Sequence, residues 1–113
     1  MATFDDIRQA ALALPEADEA PHFEATAFRV RTKIFCTADP EGVRMTLKLG
    51  PEDQHNLVTG HADIAAAVEG YWGRKGWTVV DASNLDPAAL ETWLTLAWAS
   101  VAPKKLVEAM ARS

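Results

Sequence analysis

The sequence predicts an α+β fold, a two-layer α/β sandwich in which helices lie largely on one face of an antiparallel sheet. Two patterns support this prediction. Apolar and polar side chains alternate with a period of two through residues 27–49, which indicates half-buried strands. From residue 87 to 101 the apolar positions repeat at helical spacing, which indicates an amphipathic helix. With 113 residues, the chain suits one domain over residues 1–113.

The N-terminal segment predicts a helix followed by a meander of three strands. A helix over residues 4–14 is expected, because Thr3 and Asp6 form a capping-box pattern and Pro15 stops the apolar repeat. A short edge strand is expected at 20–23. Three alternating segments then predict the meander, and they cover residues 27–31, 34–38 and 43–49. One face of the meander is apolar, and the other carries Arg29, Arg31, Arg44 and Lys48.

The remaining segments give the predicted order α-β(3)-α-β(2)-α, with a further short helix at the end. A helix over 51–60 begins at Pro51, and strands are expected over 64–68 and 77–81. The long helix begins at Asp86-Pro87, and a last short helix runs from Pro103 to Met110. The long helix places Trp93 and Trp98 on its apolar stripe, where core packing is expected.

Composition excludes several classes of protein. No apolar stretch is long enough to span a membrane, and the N-terminus lacks the pattern of a signal peptide. The single cysteine, Cys36, fits a reducing compartment, so a cytoplasmic location is expected. The net charge of -5 disfavours an obvious nucleic-acid binder. Residues 29–48 nevertheless carry five cations against two acids, which leaves a locally basic region.

The segment Tyr71–Thr78 combines two tryptophans, two glycines and two adjacent cations, which indicates a shaped turn. Trp77 begins a strand and is expected in the core. Arg74 and Lys75 have two interpretations, as solvated residues of a turn or as phosphate contacts. Trp72 is available to stack on a base.

Two interpretations are likewise open for the basic sheet face. Its arginines suit phosphate through bidentate hydrogen bonds. An antiparallel face exposed to solvent also carries charge routinely, and that simpler interpretation is favoured.

No catalytic or metal-binding pattern is recognisable. His55, His61 and Asp63 lack the spacing of metal ligands, and Cys36 has no identifiable base to activate a thiol. The sequence therefore predicts a protein that is not an enzyme and that has no metal or cofactor.

Five segments, in order, resemble those of the MmcQ/YjbR family of small bacterial proteins and together extend over nearly the whole chain. The most specific is Tyr71–Thr78, and it is joined by Leu14-Pro15-Glu16, by Pro21–Phe23 with the strands from Ala27 to Phe35, by Lys48–Gln54, and by Ala102–Leu106. The resemblance implies a sandwich of the α-β(3)-α-β(2)-α type. It also implies a DNA-binding role, described for the family as a double wing of strands and loops.

Two functions are therefore predicted as alternatives. The first is non-specific binding of DNA through its phosphates, and the second is a protein-protein or small-anion binding module without affinity for DNA. The candidate nucleic-acid contacts are Arg29, Arg31, Lys33, Arg44, Lys48, Arg74 and Lys75, with Trp72 for stacking. The second alternative predicts a co-purifying partner, a self-associating sheet or a pocket near Trp72.

Overall fold

The computed structural model describes residues 3–41 and 44–112, and within them the chain forms six strands and five helices. The predicted α+β class is confirmed. The strands are β1 (Ala17–His22), β2 (Ala25–Val30), β3 (Lys33–Ala38), β4 (Arg44–Lys48), β5 (Ala65–Ala67) and β6 (Trp77–Asp81). The helices are α1 (Phe4–Leu12), α2 (Pro51–Gly60), α3 (Tyr71–Arg74), α4 (Pro87–Val101) and α5 (Lys104–Ala111).

Helix α1 begins as its sequence predicts and ends earlier. The Thr3 hydroxyl accepts a hydrogen bond from the Asp6 amide, and the Asp6 carboxylate accepts one from the Thr3 amide, so the capping box is present. The helix ends at Leu12 rather than at residue 14. Proline disfavours the helical conformation in the residue before it, so Leu14 is outside the helix. Ala13 is the C-cap, and Leu12 is therefore the last helical residue.

All six strands belong to one antiparallel sheet with the order β1-β2-β3-β4-β6-β5. The register shifts between β2 and β3, where Phe28 pairs with Cys36 and Arg29 pairs with Ile34. This β-bulge leaves Phe35 without a partner in the ladder, and both Phe35 and Cys36 are fully buried. The strict alternation of side chains therefore breaks at this point.

The core lies between one face of the sheet and helices α1 and α4. Trp98 is fully buried, and its indole N–H donates a hydrogen bond to the Pro15 carbonyl at 3.0 Å. Trp93 is also buried, so both tryptophans of the apolar stripe lie in the core as predicted. The opposite face of the sheet has no helix layer among the described residues, and we call it the open face.

Three elements differ from the sequence prediction. The edge strand β1 begins earlier than the predicted range 20–23, and with it four strands precede α2. It can hold Pro21 because an edge strand tolerates the loss of one amide donor. The Tyr71–Thr78 turn contains the single-turn helix α3. Strand β4 begins at Arg44, and Val43, which was expected to start it, lies outside the described residues. No helix in the described part of the chain is long and apolar enough to cross a membrane.

Candidate binding groove on the open sheet face

The open face is crossed by a continuous row of short uncharged side chains, one from each of the six strands. The pairing registers of neighbouring strands align Ala20, Ala27, Thr37, Thr46, Val79 and Ala66. Paired residues point to the same face of a sheet, so these six side chains share the open face. A solvated face usually carries charged side chains at such positions, and here the centre of the face has none.

A groove of about 540 Å³ lies on this face, and we call it the open-face groove. Its walls are largely apolar, and its size is typical of ligand sites. The bulge in β3 supplies one of the lining residues, because it turns Ile34 onto the face that also carries Thr37. The lining residues are His22, Phe23, Ile34, Thr37, Thr46, Val68, Trp72 and Trp77.

Aromatic side chains stand at both ends of the groove. Phe23, in the turn between β1 and β2, is 95% exposed and has a positive φ of 56°. At the other end Trp72 is 60% exposed and contacts the ring of Tyr71 edge-on, with the ring centroids 5.2 Å apart. Trp77 is half-buried and lines the groove, so its predicted place in the core is wrong. Trp77 pairs with Lys48 in the register. Lys48 alternates in β4 with the buried Leu47, so Lys48 and Trp77 both lie on the open face.

Helix α3 is held against the sheet by close backbone contact at Gly73. A Cβ atom at this position would lie 1.7 Å from the carbonyl oxygen of Val68, so only glycine allows the approach. The Gln54 side chain of α2 adds three hydrogen bonds, donating to the Gly73 carbonyl at 2.9 Å, to the Thr78 hydroxyl at 3.1 Å and to the Trp77 carbonyl at 3.3 Å. These contacts fix the segment that presents Trp72.

Gly76, between α3 and β6, packs closely against Leu49, the residue that follows β4. Its φ is 103°, and an added Cβ would lie 2.0 Å from the Leu49 carbonyl oxygen. The Leu49 amide donates to the Gly76 carbonyl at 2.9 Å. The same Cβ position would lie 3.3 Å from Nζ of Lys48, which places this ammonium group beside the α3 segment.

Two of the predicted cations are neutralised by ion pairs. Nε of Arg29 lies 2.9 Å from the Asp18 carboxylate, and Nε of Arg31 lies 2.9 Å from the Glu16 carboxylate. Each arginine also donates from its second nitrogen, so both pairs are bidentate. The hydrogen bond from Arg31 lowers the pKa of Glu16. Arg31 itself has a positive φ of 49° and lies in the turn after β2, not within the strand.

The other predicted cations differ in their surroundings. Arg44 lies opposite Asp81 in the register; the pKa of Asp81 is lowered chiefly by hydrogen bonds from Ser83, with a smaller contribution from the charge of Arg44. Lys33 is exposed at the start of β3. Nζ of Lys75 lies 5.3 Å from the centroid of the Tyr71 ring. Four of the predicted cations make no ion pair within the described ranges, and they are Lys33, Lys48, Arg74 and Lys75.

The remaining candidates for chemistry are separated. Cys36 is fully buried, and burial raises the pKa of its thiol, so the thiol is protonated. His61 packs edge-on against Trp93, with the ring centroids 4.8 Å apart. Among the described residues, no three His, Cys, Asp or Glu side chains are grouped to hold a metal ion.

A family model described as YjbR matches residues 12–100, which is most of the chain. The protein belongs to the YjbR family. The crystal structure of the Deinococcus radiodurans protein DR2400, described as a DUF419 domain, is similar in fold, with a TM-score of 0.79 and 24% sequence identity. The alignment covers 99% of this chain and 87% of that one. No curated protein matches the sequence.

In this YjbR protein, the sequence singled out one groove residue, Trp72, for a role in binding, and the pocket expected near it is present. Phe23 could have been suspected, since an aromatic residue beside Pro21-His22 in an acidic turn has no core to join. Ile34, Thr37 and Thr46 give no signal of their own, because their common face follows from the bulge and the register.

Proposed function

We propose that this YjbR protein is a non-catalytic binding module that receives an apolar segment of a partner protein in the open-face groove. The observation that carries the proposal is the uncharged row across six strands, whose Thr37 and Thr46 line a largely apolar groove bordered by exposed aromatic side chains. Exposed apolar surface rimmed by polar groups is typical of interaction sites. Binding there would remove Phe23 and Trp72 from water, which is favourable.

The edges of the sheet favour docking on the face over addition of a strand. The outer strand β1 contains Pro21, which cannot donate to a new strand, together with Asp18 and Glu19. At the other edge β5 is only three residues long, and α2 packs beside it. A partner strand would find few backbone groups to pair with at either edge.

The lining of the groove supports a role in binding rather than catalysis. Among its lining residues, His22 has the one side chain of an acid–base type, and no second such group stands beside it in the lining. Thr37 and Thr46 supply hydroxyl groups that can fix the orientation of a ligand. The proposal includes the cytoplasmic location, where the free thiol of Cys36 is stable.

Selection from a random dodecapeptide library on the immobilised protein tests this function. We expect peptides with two or more apolar anchors, and binding at least tenfold weaker in Trp72→Ala and in Thr46→Lys, which places a charge in the uncharged row. The control is Leu96→Ala, because Leu96 is a large apolar residue exposed on the helical layer. Failure to enrich any peptide, or equal binding by all three variants, would contradict the proposal.

Binding of duplex DNA through its phosphates is the second candidate. Lys48, Arg74 and Lys75 favour it, since they make no ion pair within the described ranges. Arg74 and Lys75 lie on the same segment as Trp72, and Nζ of Lys48 lies beside that segment at Gly76. Three phosphate contacts predict a log-log salt slope of about -3. Titration of a labelled duplex from 20 to 200 mM salt measures the slope. Binding that is absent at low salt, or unchanged in Arg74→Ala/Lys75→Ala, would exclude this candidate.

A further inference from the structure

We propose that the segment bound in the open-face groove is a peptide with apolar or aromatic anchors followed, at the α3 end, by acidic residues. This inference rests on the proposed function and specifies the chemistry of the partner. It follows from the distribution of charge along the groove, which differs between its two ends.

Cations from two parts of the chain border the α3 end of the groove. Lys48 of β4 lies opposite Trp77, a lining residue, and its Nζ approaches Gly76. Lys75 immediately precedes Gly76 and lies over the Tyr71 ring, which in turn contacts Trp72. Within the described ranges neither lysine is paired with a carboxylate, so both ammonium groups are available to a carboxylate of a ligand.

The opposite end of the groove carries no such excess of positive charge. Glu24 follows Phe23 directly and is exposed. Arg29, on the neighbouring strand, is occupied by Asp18. An acidic ligand group placed here would meet a carboxylate instead of a free cation, and like charges that face each other are unfavourable. The charge of the groove therefore fixes the direction in which such a peptide lies.

The dimensions suit an extended peptide of about six residues. The lining residues run from β1 to β6, which are four strand spacings apart in the sheet. At about 4.8 Å for each spacing the distance is about 19 Å. An extended chain rises about 3.3 Å per residue, so about six residues cross the groove.

Carboxylates of a peptide fit this charge distribution better than the phosphates of a nucleic acid. A nucleic-acid chain places a phosphate at every nucleotide along the groove, including the end where Glu24 lies. The groove also lacks amide and guanidinium side chains among its lining residues, so it has little with which to hydrogen-bond the edges of bases. A peptide can place its acids at one end alone.

The test compares three versions of the best dodecapeptide selected on the wild-type protein. One version has Asp and Glu flanking the apolar anchors, the second has Asn and Gln at those positions, and the third has Lys. At 50 mM salt we expect the acidic version to bind at least fivefold more tightly than the neutral one, with the difference largely lost at 500 mM salt.

The preference should disappear in Lys48→Gln/Lys75→Gln and weaken in Lys75→Gln alone, which changes only an exposed side chain. The control with the same change in net charge is Lys104→Gln/Lys105→Gln in α5, where the preference should remain. If no version binds, the proposed function itself is wrong. If all versions bind alike, or the lysine version binds best, the groove is a binding site and the acidic partner is wrong. Displacement of the acidic peptide by equimolar oligo-dT would overturn the inference in favour of single-stranded nucleic acid.

Discussion

The two ends of the open-face groove are built by different means. At the α3 end, the position of Trp72 depends on backbone contact at Gly73 and Gly76 and on the three hydrogen bonds of Gln54. At the β1–β2 end, Phe23 stands on a hairpin turn and is almost fully exposed. The charged pairs on that side, such as Asp18–Arg29, lie at the surface.

This difference separates a preorganised part of the groove from an adaptable one. Fixed aromatic and cationic groups lose little conformational entropy on binding, so the α3 end is suited to determine specificity. The hairpin end can adjust around a ligand through Phe23. Substitutions at the α3 end should therefore affect stability strongly, whereas substitutions at the hairpin end should affect it weakly.

The largest effect is expected for Gly73→Ala. Its Cβ would meet the Val68 carbonyl oxygen at 1.7 Å, and neither backbone segment can move without displacing α3. We expect the free energy of unfolding to fall by about 3 kcal/mol or more, measured by urea denaturation. Gly60→Ala is the control; it has open space around it, and its helical position should raise stability by up to about 1 kcal/mol. A Gly73→Ala protein as stable as the wild type would contradict the close packing of α3.

A smaller loss is expected for Gln54→Leu. The variant removes three hydrogen bonds, although the Gly73 and Trp77 carbonyls keep their bonds from the Gly76 and Val68 amides. We expect a loss of about 1 to 2 kcal/mol, with faster amide exchange in α3. Gln9→Leu, which loses one exposed bond to Asp5, should change stability by less than about 0.5 kcal/mol. Equal effects of the two variants would show that Gln54 does not anchor α3.

A gain in stability is expected for Thr32→Gly on the hairpin side of the sheet. Arg31 and Thr32 form the turn between β2 and β3 with φ values of 49° and 69°, and a β-branched residue is strained there. Relief of this strain should raise the free energy of unfolding by up to about 1 kcal/mol. Thr92→Gly in the exposed face of α4 should lower it instead. A thermal melt that moves both variants in the same direction would contradict this account of the turn.

The smallest change in stability is expected for Glu16→Gln/Asp18→Asn, since exposed ion pairs contribute little. This variant frees Arg29 and Arg31 and changes the net charge from -5 to -3. If the ion pairs are what keeps these arginines from contacting phosphates, the affinity for duplex DNA at 20 mM salt should rise. The log-log salt slope should then steepen by up to about 2. Unchanged DNA binding would show that the arginines are unsuited to DNA for another reason.

Much of the fold was predictable because it depends on local patterns. The helix Pro51–Gly60 and the strand Trp77–Asp81 match their predicted bounds, since proline placement and β-branched residues mark them directly. The strand that contains Trp77 could be recognised from the sequence. Which of its two faces packs against the helices could not be, so Trp77 was assigned to the wrong face. That side is set by the pairing of β6 with β4 and β5, which is a long-range property.

The site was only partly predictable for the same reason. The cationic residues were visible in the sequence, but their carboxylate partners were not. Asp18, on β1, lies 11 positions from Arg29, and Glu16, just before β1, lies 15 positions from Arg31. The uncharged row needs five registers to exist, and Ile34 joins the same face only through the bulge at Phe35. No local pattern carries that information.

The central claim is that the open face, not the helical layer, is the surface that binds. Titration of the ¹⁵N,¹³C-labelled protein with the selected acidic dodecapeptide, followed by amide and methyl chemical shifts, tests it most directly. We predict that the largest shifts fall on the groove residues Ile34, Thr37, Thr46 and Val68 and on the indole N–H of Trp72, with Leu96 and α5 unchanged. Shifts centred on α4 and α5, with the open-face groove unchanged, would contradict the claim.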